Sequence, residues 1–373
     1  MDRENELIER VRRRFSVQRA RALPGPDSVR SPARSGARQK GGELRVGIGD
    51  DAAVLRPRGG RVRALLGARK LNDWVITTDA LLENVHFLRK VHPPDSVGYK
   101  ALARATSDIA AMGARARYFF LTLGLPAECT GRWLDDFLDG MARATRRFGL
   151  VLAGGDTTRY PLIVCSLTVM GEVARGGAIL RSGARPGDLI CVSGRLGEAE
   201  LGLRLVRRAG AGSSSPRYKG PHKHRRWAEL AKKHLYPEPR LALGDWLAAN
   251  RLATSMIDIS DGLSTDLGHI CKASGVGATI WSHKIPLIGI PAGLPLGDSD
   301  ALQLALHGGE DYELLFTVPK RMADRLPKEL RGGPLTVIGE ITSSKRIVVI
   351  DERGRSRPLQ AKGWDPFRMR GRR

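Results

Sequence analysis

MIDISDGLSTDLGHICKAS, from Met256 to Ser274, changes period in its middle. The spacing predicts a strand over 254–259, a tight turn at Asp261-Gly262 and a helix over 262–273. An acid or serine ahead of a helix is ordinarily a cap, and that accounts for Ser260 or Asp261. It does not account for Asp258, which lies inside the apolar strand and shares a face with Ser260. An ionised carboxylate buried there is expensive unless a cation neutralises it. The stretch therefore gives both an α/β unit and the first hint of a metal site.

Working outward, short apolar runs alternate with helical patterns on both sides. Upstream, strands are expected near 43–48, 73–78, 117–125, 150–153 and 162–173, with helices near 96–112 and 131–148. Downstream of RSGARPGD (Arg181 to Asp188), strands are expected at 189–193, 254–259, 277–281, 312–318, 335–341 and 346–351. The helices there are expected at 197–208, 239–250, 262–273 and 300–306. The fold class expected is two mixed α/β (α+β) domains, and 373 residues suit two cores. The expected division is an N-terminal helix and basic linker over 1–42, a first domain over 43–184, a second over 185–367 carrying a basic insert at 207–226, and a basic tail over 368–373.

The net charge of +23 suggests nucleic acid until it is located. Residues 1–40, 207–234 and 352–373 carry +20 of it, so the body between them is nearly neutral. Such runs are ordinarily solvated decoration. Without a binding motif, weak attraction of polyanions to the basic segments is expected and specific nucleic-acid recognition is not. No apolar run approaches the ~20 residues that cross a bilayer, and the first forty residues carry charge where a signal peptide needs an apolar stretch. A cytoplasmic protein without membrane attachment is expected. The four cysteines, Cys129, Cys165, Cys191 and Cys271, form no CxxC pair and read as buried small hydrophobes.

Acidic residues recur at expected strand ends or beside tight turns: Asp51 in GIGDD, Asp79 in TTD, Asp108 in TSDIAAMG, Asp156 in GGDTT, and Asp258 with Asp261. Each alone is ordinary turn chemistry. Converging, they would repel one another, and Mg²⁺ characteristically joins one or two carboxylates to waters and substrate phosphates. The set predicts a metal–nucleotide site. GIGDDA matches the dinucleotide fingerprint poorly, because two acids stand in the turn and no amphipathic helix follows. Neither a P-loop nor a protein-kinase signature occurs, so phosphate must be held by other means. Gly154-Gly155-Asp156 would let backbone N–H groups approach phosphate, and Arg181 on the domain connection would add a positive charge. His86 is a candidate pocket residue. In GGEDYE (308–313), three acids crowd before the strand LLFTV, and at least one is expected to point away from the core.

Together, GIGDDAAVL, TTDALLENVHF, KALARATSDIAAMGA, LAGGDTT, RSGARPGD, YPEPR, IDISDGLSTDLGHI, GGEDYELLFT and KGWDPF resemble the thiamine-phosphate kinases. That family lies within the aminoimidazole ribonucleotide synthetase-like superfamily. The resemblance runs in order from about Gly47 to Phe367. It implies two α/β domains, a homodimer joined through the N-terminal sheets, several Mg²⁺ ions, and ATP and thiamine phosphate as substrates. The acids Asp51, Asp79, Asp108, Asp156, Asp258 and Asp261, with Thr77 and Thr78, correspond to metal positions. Gly155, Asp156, Arg181 and Ser260 match nucleotide positions, and His86, Glu310 and Trp364 match positions that receive thiamine phosphate. Asp258 and Asp79 are expected to carry catalysis through metal, without a general base. Another ATP-dependent enzyme of the superfamily, with a different phosphate or acyl acceptor, is the alternative. The basic N-terminus, insert and tail depart from the family pattern.

Overall fold

A computed structural model of the chain describes residues 44–47, 49–57, 72–210, 223–290, 298–330 and 333–365. The expected N-terminal helix and linker, the middle of the basic insert (211–222) and the tail 368–373 lie outside the described residues.

The first sheet contains β1 (Leu44–Val46), β2 (Ala53–Leu55), β3 (Asp73–Leu82), β4 (Arg115–Leu125), β5 (Val151–Arg159) and β6 (Val164–Val173), in the order β1-β2-β3-β6-β4-β5. Side chains alternate across a strand, and β6 does so along its whole length: Cys165, Leu167 and Val169 are buried while their neighbours are half-buried. Helix α1 (Pro94–Ala111) lies on the buried face, and α2 (Arg132–Phe148) packs on α1. Pro94 in its first turn and Asp95 beside it suit the start of α1, and Gly149 in the left-handed region ends α2. The approach of α1 to α2 is tight: a Cβ on Gly98 would stand 1.9 Å from Phe137 O. The opposite face of the sheet carries exposed Tyr118 and Phe120, with exposed Val151 level with Tyr118 on β5.

Residues 174–187 carry the chain to a second sheet. It contains β7 (Asp188–Ser193), β8 (Ser255–Asp258), β9 (Gly277–Trp281), β10 (Leu314–Pro319), β11 (Glu329–Leu330), β12 (Gly333–Thr342), β13 (Ile347–Ile350) and β14 (Ser356–Pro358). Its order is β14-β13-β9-β12-β7-β10-β8, with β11 on β12. The helices are α3 (Glu198–Gly210), α4 (Lys223–Leu235), α5 (Leu241–Asn250), α6 (Leu263–Ser274) and α7 (Asp298–His307). This sheet is buried on both faces. Ile190, Val192, Ile257 and Leu315 join a core with Leu267 and Ile270 of α6, whereas Cys191, Met256, Leu314 and Phe316 join one with Leu243 and Leu247 of α5 and Ala111 of α1. Helix α1 thus packs against both sheets.

The expected strands and helices all occur in order, but the short strands β2, β11 and β14 were not expected, nor was α4, which begins inside the segment taken for solvated insert. Residues 207–210 likewise belong to α3. All four cysteines are buried and free. Among the described residues no helix is long and apolar enough to cross a membrane.

Candidate active site

Strand parity and helix rise bring the acids together. On β3, Val75, Thr77, Asp79 and Leu81 share the face that meets α1. Two strand residues span about 6.8 Å and four helical residues about 6.0 Å, so positions i and i+2 of β3 fit opposite i+4 and i of α1. Thr77 Oγ1 accordingly donates to Asp108 Oδ2 at 2.6 Å, and Arg104 grips Asp79 through Nε and Nη2 at 3.0 and 3.2 Å. On β8, Met256 faces the core shared with α1, and Asp258 two residues on faces the same way. Its Oδ2 accepts from Ser107 of α1 at 2.6 Å. The turn between β1 and β2 supplies Asp51.

Oxygen atoms of Asp51, Asp108 and Asp258 all lie within 4.8 Å of one another. Burial, then mutual repulsion, pushes the Asp258 carboxyl up to about 7 and raises that of Asp108 well above the usual range. Arg181 donates to Asp51 Oδ1 from Nη2 at 2.7 Å and from Nε at 3.1 Å, yet Asp51 Oδ2 is buried with no hydrogen-bond partner among the described residues. Two buried carboxylates and a half-buried one beside one cation, with an oxygen left over, form a donor set that suits a hard divalent cation. Asp108 corrects one expectation: it stands in the last turn of α1, not at a strand end, and its helix face is buried.

A cavity of about 290 Å³ adjoins the cluster, lined at the polar end by Asp79, Arg104, Asp108, Asp258, Ser260 and Glu310, and toward its mouth by Val85, Leu88, Leu203 and Trp364. Val85, Leu88 and Trp364 are exposed. Thr78 and Asp261 also line it. Thr78 points to the other face of β3 from Thr77, with its hydroxyl 2.9 Å from that of Thr168. His86 Nδ1 accepts the Leu82 N–H at 3.0 Å, which leaves its proton on Nε2 as a donor. Burial and then Arg104 depress its pKa to about 4, so the ring is neutral near pH 7.

Glu310 occupies the far wall, with φ of 67°. Lys100 Nζ donates to its Oε2 at 2.7 Å, and His234 Nδ1 lies 3.2 Å from the same oxygen. Burial alone would raise the Glu310 pKa, but Lys100, His234 and Arg104 outweigh it and hold the carboxyl well below its usual range. A chain of single protons runs behind it: Leu88 N–H donates to His92 Nδ1 at 3.1 Å, and His92 Nε2 stands 3.1 Å from His234 Nε2. Of the crowded acids of GGEDYE, Glu310 points into the cavity and away from the core, as expected of at least one of them, while the other two are held within the fold. Asp311 accepts the N–H groups of Gly197 and Ala199 at the start of α3, at 2.7 and 2.9 Å, and Glu313 is buried with Arg240 and Ser193. Donors from three distant segments satisfy all three.

The chain matches the family models for AIR synthase related protein: the N-terminal domain over residues 49–173 and the C-terminal domain over 185–352. It is 38% identical over 329 residues to thiamine-monophosphate kinase of Escherichia coli (strain K12), covering 87% of this chain and 93% of that one. The chain belongs to the thiamine-monophosphate kinase family. Solved structures agree. That of thiamine-monophosphate kinase from Stenotrophomonas maltophilia K279a is 38% identical with a TM-score of 0.67, covering 84% of this chain and 92% of that one. That of AaThiL complexed with AMPPCP and TMP is 30% identical with a TM-score of 0.70, covering 86% and 92%.

In this member of the thiamine-monophosphate kinase family, most residues expected at the site converge, but Gly155 and Asp156 do not. They lie exposed on β5, the sheet edge, separated from β3 by β6 and β4, or about 14 Å by strand spacing. Gly155 has a packing reason too, since a Cβ there would stand 1.9 Å from Leu121 O. Sequence reasoning missed Lys100, Arg104 and Ser107, although Lys100, Arg104 and Asp108 recur every four residues on an otherwise apolar helix face. It also missed His92 and His234, and placed Arg207, a cavity residue, in the decorative insert.

Proposed function

We propose that the protein transfers the γ-phosphoryl group of ATP to thiamine monophosphate, giving thiamine diphosphate and ADP. The observation that carries this is the convergence of Asp51, Asp108 and Asp258 from both domains at the polar end of a cavity whose mouth is apolar. Membership of the family, and a relative held with AMPPCP, an ATP analogue, and TMP, support the same assignment.

A phosphate oxygen of thiamine monophosphate attacks the γ-phosphorus in line, and the bond to the β,γ-bridging oxygen breaks. The nucleophile is already an anion near neutral pH, so the protein must position two polyanions and neutralise them. His86, neutral with Nε2–H free to donate, is a binding group and not a base. Glu310 and Trp364 receive the thiamine portion, Trp364 offering a face to its cationic ring. Asp51, Asp108 and Asp258 are the proposed core of the Mg²⁺ site, with Thr77, Thr78, Asp79, Asp156 and Asp261 as further ligands. Bound there, Mg²⁺ would supply charge neutralisation for the transferring phosphoryl group. Arg181 and Ser260 are the proposed nucleotide contacts in this subunit. Gly155 and Asp156 join them only with the homodimer we propose across the exposed face of Tyr118, Phe120 and Val151, which β5 borders. A cytoplasmic location completes the assignment.

The test is incubation with thiamine monophosphate, ATP and Mg²⁺, with products separated by chromatography and Asp258→Asn and Asp79→Asn alongside. Thiamine diphosphate from the wild type and not from the variants is expected. Near-normal turnover by both variants would overturn the site, and no product from the wild type would overturn the substrate.

A further inference from the structure

The cavity presents a problem of charge. A substrate phosphate entering it meets Asp79, Asp108, Asp258 and Glu310, all acidic. Among the described residues lining the cavity, the Arg and Lys side chains are Arg104 and Arg207. Arg181 is engaged by Asp51, and Lys100 is buried against Glu310. Arg207 is exposed on α3. Arg104 is different in three respects. It is only 16% exposed, it stands on α1 between a proposed metal ligand and the proposed thiamine-binding acid, and it keeps a free donor. Nε and Nη2 are spent on Asp79, whereas Nη1 lies 3.9 Å from Glu310 Oε1, too far for a hydrogen bond.

We propose that Arg104 holds the phosphate of thiamine monophosphate through Nη1, Asp79 fixing the guanidinium so that this donor faces the junction between acid cluster and Glu310. The assignment rests on the kinase function proposed above and adds the residue that tells thiamine monophosphate from thiamine. A planar guanidinium anchored along one edge presents the remaining amino group with little rotamer entropy left to lose. Its charge also separates the incoming phosphate from Glu310, which then faces only the thiamine rings. Apolar Val85, Leu88 and Leu203 place those rings toward the mouth and the phosphate inward.

The experiment is calorimetric binding of thiamine monophosphate and of thiamine, each with Mg²⁺, to wild type, Arg104→Gln, Arg104→Lys and Arg207→Gln. The wild type is expected to prefer the monophosphate. Arg104→Gln should reduce that preference about 10- to 100-fold, as loss of a charge-assisted hydrogen bond does, while its Kd for thiamine stays within about twofold. Arg104→Lys should recover part of the preference, and Arg207→Gln should keep it. The proposal is overturned if Arg104→Gln retains the wild-type preference, or weakens both ligands equally, as a purely structural partner of Asp79 would. Collapse of the preference in Arg207→Gln instead would also overturn it. Product formation by the wild type is scored separately. Preference lost in Arg104→Gln beside a wild type that makes no thiamine diphosphate would sink the kinase function alone; product beside a preference retained in Arg104→Gln would sink Arg104 alone.

Discussion

Glu310→Gln should destabilise the protein by an amount that depends on pH, because it strands Lys100. That lysine is 3% exposed, and its Nζ lies 2.7 Å from Glu310 Oε2. At that distance and an effective dielectric of about 20, the attraction is about 6 kcal/mol. Burial lowers the Lys100 pKa, and Glu310 offsets part of that. With Glu310 neutralised, the lysine either stays charged and unpaired, at about 3–5 kcal/mol, or sheds its proton. From an unfolded pKa of about 10.4, shedding it at pH 7 costs about 5 kcal/mol, which caps the loss. The sign follows. A lysine neutral in the folded state and charged in the unfolded one makes the unfolded state bind the extra proton, so stability rises with pH toward the unfolded pKa. At pH 9.5 shedding costs only about 1.2 kcal/mol, so the gap to wild type should shrink by about 2–3 kcal/mol. Thermal denaturation at both pH values reads this, with a fall in Tm at pH 7 of roughly 6–20 °C. Lys100→Met/Glu310→Gln, with no stranded charge, should be more stable at pH 7 than Glu310→Gln alone. A gap that does not change with pH, together with a double variant no better than the single, would refute the reasoning.

Three other outcomes are expected. Thr77→Val removes the hydroxyl donated to Asp108 and should lower turnover about tenfold or more, whereas Thr77→Ser keeps the donor and should stay within about threefold; steady-state kinetics distinguish them. Asp311→Ala strips the N–H groups of Gly197 and Ala199 of their acceptor at the start of α3 and should cost about 1–2 kcal/mol in denaturant titration. Val151→Asp on the uncovered sheet face should halve the mass seen by sedimentation without lowering Tm by more than a few degrees, and an unchanged mass would remove the proposed interface.

The order of the longer strands and most helices was legible because both sheets are built from runs with clean periodicity, β6 being the plainest case, whereas β2, β11 and β14, two or three residues each, are too short to show a period. Helix α4 was not: KHRRWAELAKKHL reads as a charge run, and among its side chains described, from Ala228 on, Leu230, Ala231 and His234 on one side are the ones buried deeply. Of the acids, Asp258 could be singled out because it interrupts an apolar strand, a local signal. Asp108 could be named but not placed, since its surroundings depend on where α1 lies over β3. The partners of the GGEDYE acids were hidden for a related reason: Lys100, Arg240 and the amides of 197 and 199 are remote in sequence. Crowding is visible locally, whereas satisfaction is not. The same limit hid Arg104, whose partner is 25 residues away.

Helix α1 has a further consequence for what evolution can alter. Lys100, Arg104, Ser107 and Asp108 reach four acceptors or donors on segments from both domains: Glu310, Asp79, Asp258 and Thr77. Each residue of a helix advances the face by about 100° and 1.5 Å. Insertion or deletion of one residue between Lys100 and Asp108 would therefore turn part of this set away from its partners while leaving the composition almost unchanged. Point substitutions there can be compensated one contact at a time, but a change of length cannot. The helix acts as a gauge for the lineage: divergent sequences should vary freely in side chains on its outer side while keeping the count of residues across this span fixed.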